Sequence, residues 1–309
     1  MLEGAMLVWF ILTGFSAVFV LWDSVFNGVT SWVQRIAWIL VTLYTGPVGA
    51  FMYLLGCRRP FPGGHDRFTD KTWKQGLNSE MHCLAGDATG IIIAAIIVPA
   101  LALANGWDLV IEYTAGFISG LLIFQALMMA DMYAGNYLLA VRKTFFAETV
   151  SMNLVMTGMI PTMVILAALW PGAHDPLRPE FWFHMSLATV VGGIFAFPIN
   201  YWLVKNHLKH GCMTLPGADH PAPGLGHRSP EAPNPHMEHA MEHQTAPHPG
   251  GNPEHGGMQH AGTDTGEEAM TMRELPLITS LLWIGGTFLV LLAAVWLTAI
   301  WVPIRFSAP

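Results

Sequence analysis

Residues 79 to 87, SEMHCLAGD, bring two carboxylates, an imidazole and a thiol together just before the apolar run ATGIIIAAIIVPALALA. Wound as a helix, Glu80, Cys83 and Asp87 fall within about a 60° arc and share a face, with Gly90 one turn on, while His82 points elsewhere. A mixed set of carboxylate, thiolate and imidazole donors suits Zn(II) or another borderline divalent ion better than Cu(I), which favours thiolate and thioether. His82 joins such a set only if its turn is not helical, or if it binds something carried by another helix. The competing reading is a capping turn, with Asn78 or Ser79 as N-cap and Glu80 at the positive end of the helix dipole. Capping explains Glu80 better than Asp87, because an ionisable residue inside a membrane span is costly without a partner.

A second pattern follows at residues 148 to 163. Glu148, Met152, Met156, Met159 and Met163 lie within about an 80° arc, a thioether stripe that starts at a carboxylate. Thioethers are soft ligands able to pass Cu(I) along a helix; methionines also fill irregular gaps between helices, which is the plainer reading. Pro161 opens a carbonyl near Thr157 and makes a local polar site possible. Asp131, Asn153, Asn200 and His184 are further polar residues within apolar stretches. Singly, each reads as a hydrogen-bonded interior residue. As a set they outline a polar path with His184 at one end, the methionines midway, and Glu148, Asp131, Asp87 and Cys83 at the other.

The third pattern is compositional. Ten of the fourteen histidines lie between residues 207 and 260, and HMEHAMEH sets His236, His239 and His243 beside Glu238 and Glu242. Imidazoles in such a tract suit Zn, Ni, Co or Cu(II) through interchangeable ligand sets. The alternative is a solvated tether whose histidines bind nothing specific.

The elements that must position these residues are membrane helices. The chain is 53% hydrophobic and 11% charged, against about 25% charged residues in a soluble domain. Apolar stretches near residues 5–22, 36–56, 83–104, 109–130, 150–170, 182–204 and 276–302 are each about long enough to span a bilayer. The fold expected is an all-α membrane protein, a bundle of about seven transmembrane helices, kinked at Pro47, Pro99, Pro161 and Pro198. Tryptophans 22, 38, 107, 170, 182, 202 and 301 fall near span ends, as interfacial belts do. Of the fourteen Lys and Arg residues, eleven fall in the loops after the second, fourth and sixth spans or at their edges. That bias predicts an inner (plasma) membrane protein with a cytoplasmic amino terminus and an external carboxy terminus. Cys57, Cys83 and Cys212 then lie at cytoplasmic span ends, where thiols stay reduced.

Residues 215–272 break the pattern, being rich in His, Pro, Gly and Met and poor in bulky apolar side chains; they read as a disordered cytoplasmic linker. The organisation expected is two helices in 1–60, a four-helix core in 75–214, the linker, and a last helix in 273–309. The acidic excess is local: residues 211–272 hold eight Asp and Glu against one Arg, and the remainder balances thirteen acids with thirteen bases. No basic patch with interleaved aromatics supports nucleic-acid binding.

Three stretches, MHCLAGDATG (81–90), AETVSMNLVM (147–156) and FWFHMSLATVVGGIFAFPINYWLVKNHLKHGCMT (181–214), together resemble a bacterial membrane family known as domain of unknown function 4396. The resemblance covers roughly residues 75–214, is most specific in its last stretch, and implies a helical membrane domain without an established activity. The chain departs from the family pattern at Asp87, where the family has a second cysteine, and at Ile91, where it has a glutamate; a soft two-cysteine site is therefore not implied here.

No P-loop, no His-Glu-x-x-His pair and no Gly-x-Ser-x-Gly elbow occurs, so no catalytic motif marks an enzyme and no organic cofactor is expected. The expected function is binding, and translocation, of a transition-metal ion of the Zn, Ni or Cu class. His82, Cys83, Asp87, Glu80, Glu148, Met152, Met156, Met159, Asp131 and His184 are its candidate ligands, and His236, His239 and His243 would capture ions on the linker. The alternative is a non-transporting adaptor or accessory subunit of a metal pump or oxidase; a membrane oxidoreductase with a fixed metal is a third reading. The expected partners are the lipid bilayer, the metal ion and, in the adaptor reading, another membrane protein.

Overall fold

The computed structural model describes residues 1–27, 32–58, 68–69, 71–130, 133, 135–210 and 272–307. Its helices are α1 (Leu2–Asn27), α2 (Trp32–Thr45), α3 (Pro47–Gly56), α4 (Thr72–Ile97), α5 (Asn105–Ala130), α6 (Tyr137–Leu169), α7 (Pro179–Lys205) and α8 (Leu277–Trp301). The chain is an all-α membrane bundle, and no strand occurs among the described residues. Six helices, α1 and α4 to α8, are long and apolar enough to cross a bilayer. The stretch expected as the second span forms two shorter helices instead. Pro47 supplies no N–H to continue α2, and Gly46 breaks the backbone at φ 60° and ψ −135°, a conformation open to glycine.

The centre of the bundle is α4, with 20 of its 26 residues buried. It packs on α2, α5 and α7; α6 packs on α7, and α8 on α6. Small residues permit these approaches, as is usual where helices meet in a membrane. Gly86 and Gly90 of α4 face Gly120 and Gly116 of α5 closely enough that a Cβ on Gly86 would sit 2.7 Å from the Gly120 Cα. Gly158 of α6 meets Gly192 of α7 in the same way. The apolar windows of α1 and α8 are only 11% buried, which puts both helices at the lipid-facing rim. Arg58, just beyond α3, holds α1 by a forked contact to Asp23 at 3.0 and 3.1 Å, and Tyr53 donates a third hydrogen bond to that carboxylate.

Two helices begin earlier than hydropathy predicts, and the difference relocates the chemistry. α4 starts at residue 72 and α6 at 137, so Cys83 and Glu148 each lie eleven residues inside a helix, about 17 Å from its start. SEMHCLAGD is therefore mid-helix and not a capping turn. The Asn78 side chain, expected as a cap, instead donates to the carbonyls of Gly56 and Lys74 at 2.9 Å each. The apolar average is low across these turns because their polar side chains face other helices rather than lipid.

Candidate functional site

Four elements meet around Cys83. α4 supplies Cys83 and Asp87 from adjacent turns of one face, α6 supplies Glu148, and α5 supplies Gly120 and Gln125 from a π-helical segment, Ser119–Gln125. A π turn adds a residue and re-aims side chains, and such turns concentrate at functional sites. Here it turns Gly120 toward both carboxylates: a Cβ at that position would collide with Asp87 Oδ1 and Glu148 Oε1. Cys83 Sγ donates to Glu148 Oε2 at 2.8 Å and lies 3.7 Å from Gln125 Oε1.

The fourth element is the turn after α7. His207 adopts a left-handed φ of 59°, and the N–H groups of His207 and Leu208 bond back to Val204 and Leu203 at 3.0 and 2.9 Å. The reversal sends Lys209 back into the bundle, where its side chain is 1% exposed. Its Nζ donates to Cys83 Sγ at 2.8 Å and to Asn200 Oδ1 at 2.7 Å, and stands 4.0 Å from Glu148 Oε2. Asn200 in turn pairs reciprocally with Ser151 at 2.9 and 3.2 Å. The result is a closed polar centre inside the membrane domain.

Its charges do not balance. One ammonium faces two carboxylates, and Glu148 Oε1 and both oxygens of Asp87 are buried with no hydrogen-bond partner. Burying an uncompensated carboxylate is among the most costly acts in a protein interior. A second positive charge, whether a proton or a metal ion, completes the balance. Among the described residues, no three His, Cys, Asp or Glu side chains are spaced to hold a metal ion as they stand; Lys209 Nζ is the cation that the thiol presently contacts.

Of the residues singled out in the sequence, Cys83, Asp87 and Glu148 converge. Glu80 does not join them: its carboxylate lies against Gly193 of α7 and borders a separate, mainly apolar cavity of about 350 Å³. His82 is 1% exposed and neither ring nitrogen has a partner; its turn is helical, which separates it from the Cys83 face. Met152, Met156 and Met159 are fully buried. Met152 packs opposite Gly116 and Met159 opposite Gly192, as gap-filling methionines do, while Met163 reaches a second cavity at the far end of α6. His184 lines that same cavity. Asn153 accepts from Tyr113 at 2.8 Å and donates to Thr287 of α8 at 3.0 Å, a structural tie. Asp131, Cys212 and the linker residues His236, His239 and His243 lie outside the described residues.

Sequence reasoning gives no role to Lys209, Gln125 or Gly120. Lys209 counts there only as a loop cation, and nothing local announces that the chain turns back at His207. The π segment likewise has no hydropathy signature. Asp108 and Glu112, four residues apart within an apolar stretch, did carry a signal: carboxylates in a span demand a reason.

Residues 72–209 match the family described as Domain of unknown function (DUF4396), and the motifs that suggested the resemblance lie almost wholly within that match. The matched segment holds the entire centre and ends at Lys209. No curated protein and no solved structure matches the chain.

Proposed function

We propose that this chain, whose residues 72–209 belong to a family of unknown function, binds a transition-metal ion of the zinc, nickel or copper class and carries it across the membrane. The observation that supports the reading is the convergence of Cys83, Asp87 and Glu148, from two helices, on a buried point to which the tethered ammonium of Lys209 supplies one positive charge. A thiol and two carboxylates are a donor set for a borderline divalent ion. Lys209 then acts as the internal stand-in for that ion. Between loadings it supplies one of the two positive charges that the carboxylates require and a proton supplies the other; an arriving dication replaces both and displaces the ammonium on the 206–210 turn.

In this reading the positive-inside bias places the Cys83 centre toward the cytoplasm, in an inner membrane; the amino-terminal part of α1, whose Trp9 donates to Ser186 near the start of α7, then lies toward the opposite side, not the cytoplasmic side expected from the sequence. The His-rich stretch between α7 and α8 raises the local ion concentration at that mouth. The α6 methionine face, buried from Met152 to Met163, leads from the centre toward the opposite end.

The test is metal content and flux of the purified chain reconstituted in liposomes, with residues 216–266 deleted in a parallel sample to remove linker background. One tightly held ion per chain is expected, lost together with flux in Cys83→Ser, Asp87→Asn and Glu148→Gln. Equal metal content and flux in the native chain and all three variants would sink the reading.

A further inference from the structure

At the end of the bundle remote from Cys83 lies a cavity of about 170 Å³, walled by the last turns of α4 and α6 and the first turns of α5 and α7. Asp108 and Glu112, Met163, His174, His184 and Met185 line it. Asp108 and Glu112 are four residues apart on one face of α5; His174 ends the 3₁₀ turn Pro171–His174; His184 stands one turn into α7. Glu112 is 7% exposed and His184 is 4% exposed. Glu112 Oε2, His184 Nδ1 and Asp108 Oδ1 are each buried with no hydrogen-bond partner.

Buried polar atoms are almost always satisfied, so three orphans bordering one cavity are a local cost with a purpose to be found. Two carboxylates and two imidazoles lack a permanent cation here; no Lys or Arg lines the cavity. These are oxygen and nitrogen donors without thiolate, and the set matches the His and carboxylate coordination of zinc-class ions. The cavity is large enough for an ion and its remaining waters. The four groups come from three elements joined by the 3₁₀ turn and helix ends rather than from one rigid face; as they stand no three of them are spaced to hold an ion, so loading requires these side chains to move toward one another.

We infer that this cavity is a second site for a divalent transition-metal ion, with Glu112 and His184 as its principal ligands and Asp108 and His174 completing the set. It differs from the Cys83 centre in having no thiol and no internal lysine. The inference stands without translocation; if the chain does carry ions, this is the opposite mouth of the path, about 22 Å along α6 from Glu148 to Met163.

The experiment is a titration of the full chain with Co(II) alone, comparing the native protein with the Glu112→Gln, His184→Ala double variant. Loss of one Co(II) equivalent per chain is expected in the variant, with the linker-bound equivalents and the thiolate-to-cobalt charge-transfer band unchanged. The band belongs to the Cys83 centre and disappears in Cys83→Ser, which keeps the Glu112-dependent equivalent. The two readings therefore fail separately: a missing band refutes the inner metal site, and an unchanged Co(II) stoichiometry in the double variant refutes this one. Should that variant not fold, crystals of the native chain grown with Co(II) decide the matter. An anomalous peak in the cavity upholds the site, and density elsewhere without one there overturns it.

Discussion

Replacing Lys209 with methionine removes one charge while keeping a long side chain in the same space. In the native chain the ammonium is 1% exposed, donates to Cys83 Sγ at 2.8 Å and to Asn200 Oδ1 at 2.7 Å, and stands 4.0 Å from Glu148. Deleting one partner of a buried ion pair costs about 3–5 kcal/mol. The 4.0 Å separation from the carboxylate is at the outer edge of contact, which puts this pair near the lower bound, about 3 kcal/mol. That free energy also holds the ammonium in place against an incoming ion. At about 1.4 kcal/mol per tenfold, it weakens apparent metal binding by roughly 100-fold. Lys209→Met should therefore bind Co(II) or Zn(II) on the order of 100-fold more tightly, and its metal-free form should melt earlier and recover when metal is added. Competition against a chromophoric chelator reads the affinity, and the linker contributes equally in both proteins. Lys209→Arg, which keeps the charge, should stay close to native affinity. Unchanged or weaker binding in a cooperatively folded Lys209→Met protein refutes the claim that Lys209 occupies the position of the ion.

Three further outcomes follow from packing and charge. Gly120→Ala drives a methyl group between Asp87 and Glu148; it should abolish metal binding at the Cys83 centre and lower stability by about 1–3 kcal/mol, and native affinity in a melting-competent variant would show that the carboxylates do not meet there. Gly46→Ala forces a side chain onto a backbone at φ 60° and ψ −135°, with a Cβ 2.6 Å from Thr13 Oγ1; a thermal melt should show a loss of about 1–3 kcal/mol, and no loss would mean that the α2–α3 break relaxes freely. Burial, with a smaller contribution from neighbouring His207, pushes the His210 imidazole down to about 4. The unfolded chain then takes up the proton first, so His210 leaves stability untouched above about pH 6.5 and erodes it as the pH falls from there toward 4. The melting temperature of His210→Gln should depend less on pH across that window, and equal slopes for both proteins would contradict the assignment.

Composition and hydropathy determine that this chain is a bundle of membrane helices, because burying backbone in lipid leaves the helix as the economical solution for apolar runs of this length. Helical periodicity also puts Cys83 and Asp87 on one face, since that depends only on residues four apart. The motifs in residues 81–90, 147–156 and 181–214 were enough to identify the family segment. Helix starts were not legible: α4 and α6 begin with polar turns that a hydropathy window reads as loop, and only packing against other helices makes those turns interior. Nor does one helix face tell which of its members will meet a partner. Glu80 shares an arc with Cys83 and Asp87, yet it leans toward Gly193 and α7, whereas the other two meet Glu148 across the gap left by Gly120. Tertiary structure alone decided that the cation beside the thiol is Lys209, 126 residues away in sequence. A contact of this kind is set by distance in space, and here that distance depends on the reversal at the left-handed residue His207, while a π turn in α5 brings Gly120 to the two carboxylates; no residue pattern announces either backbone feature.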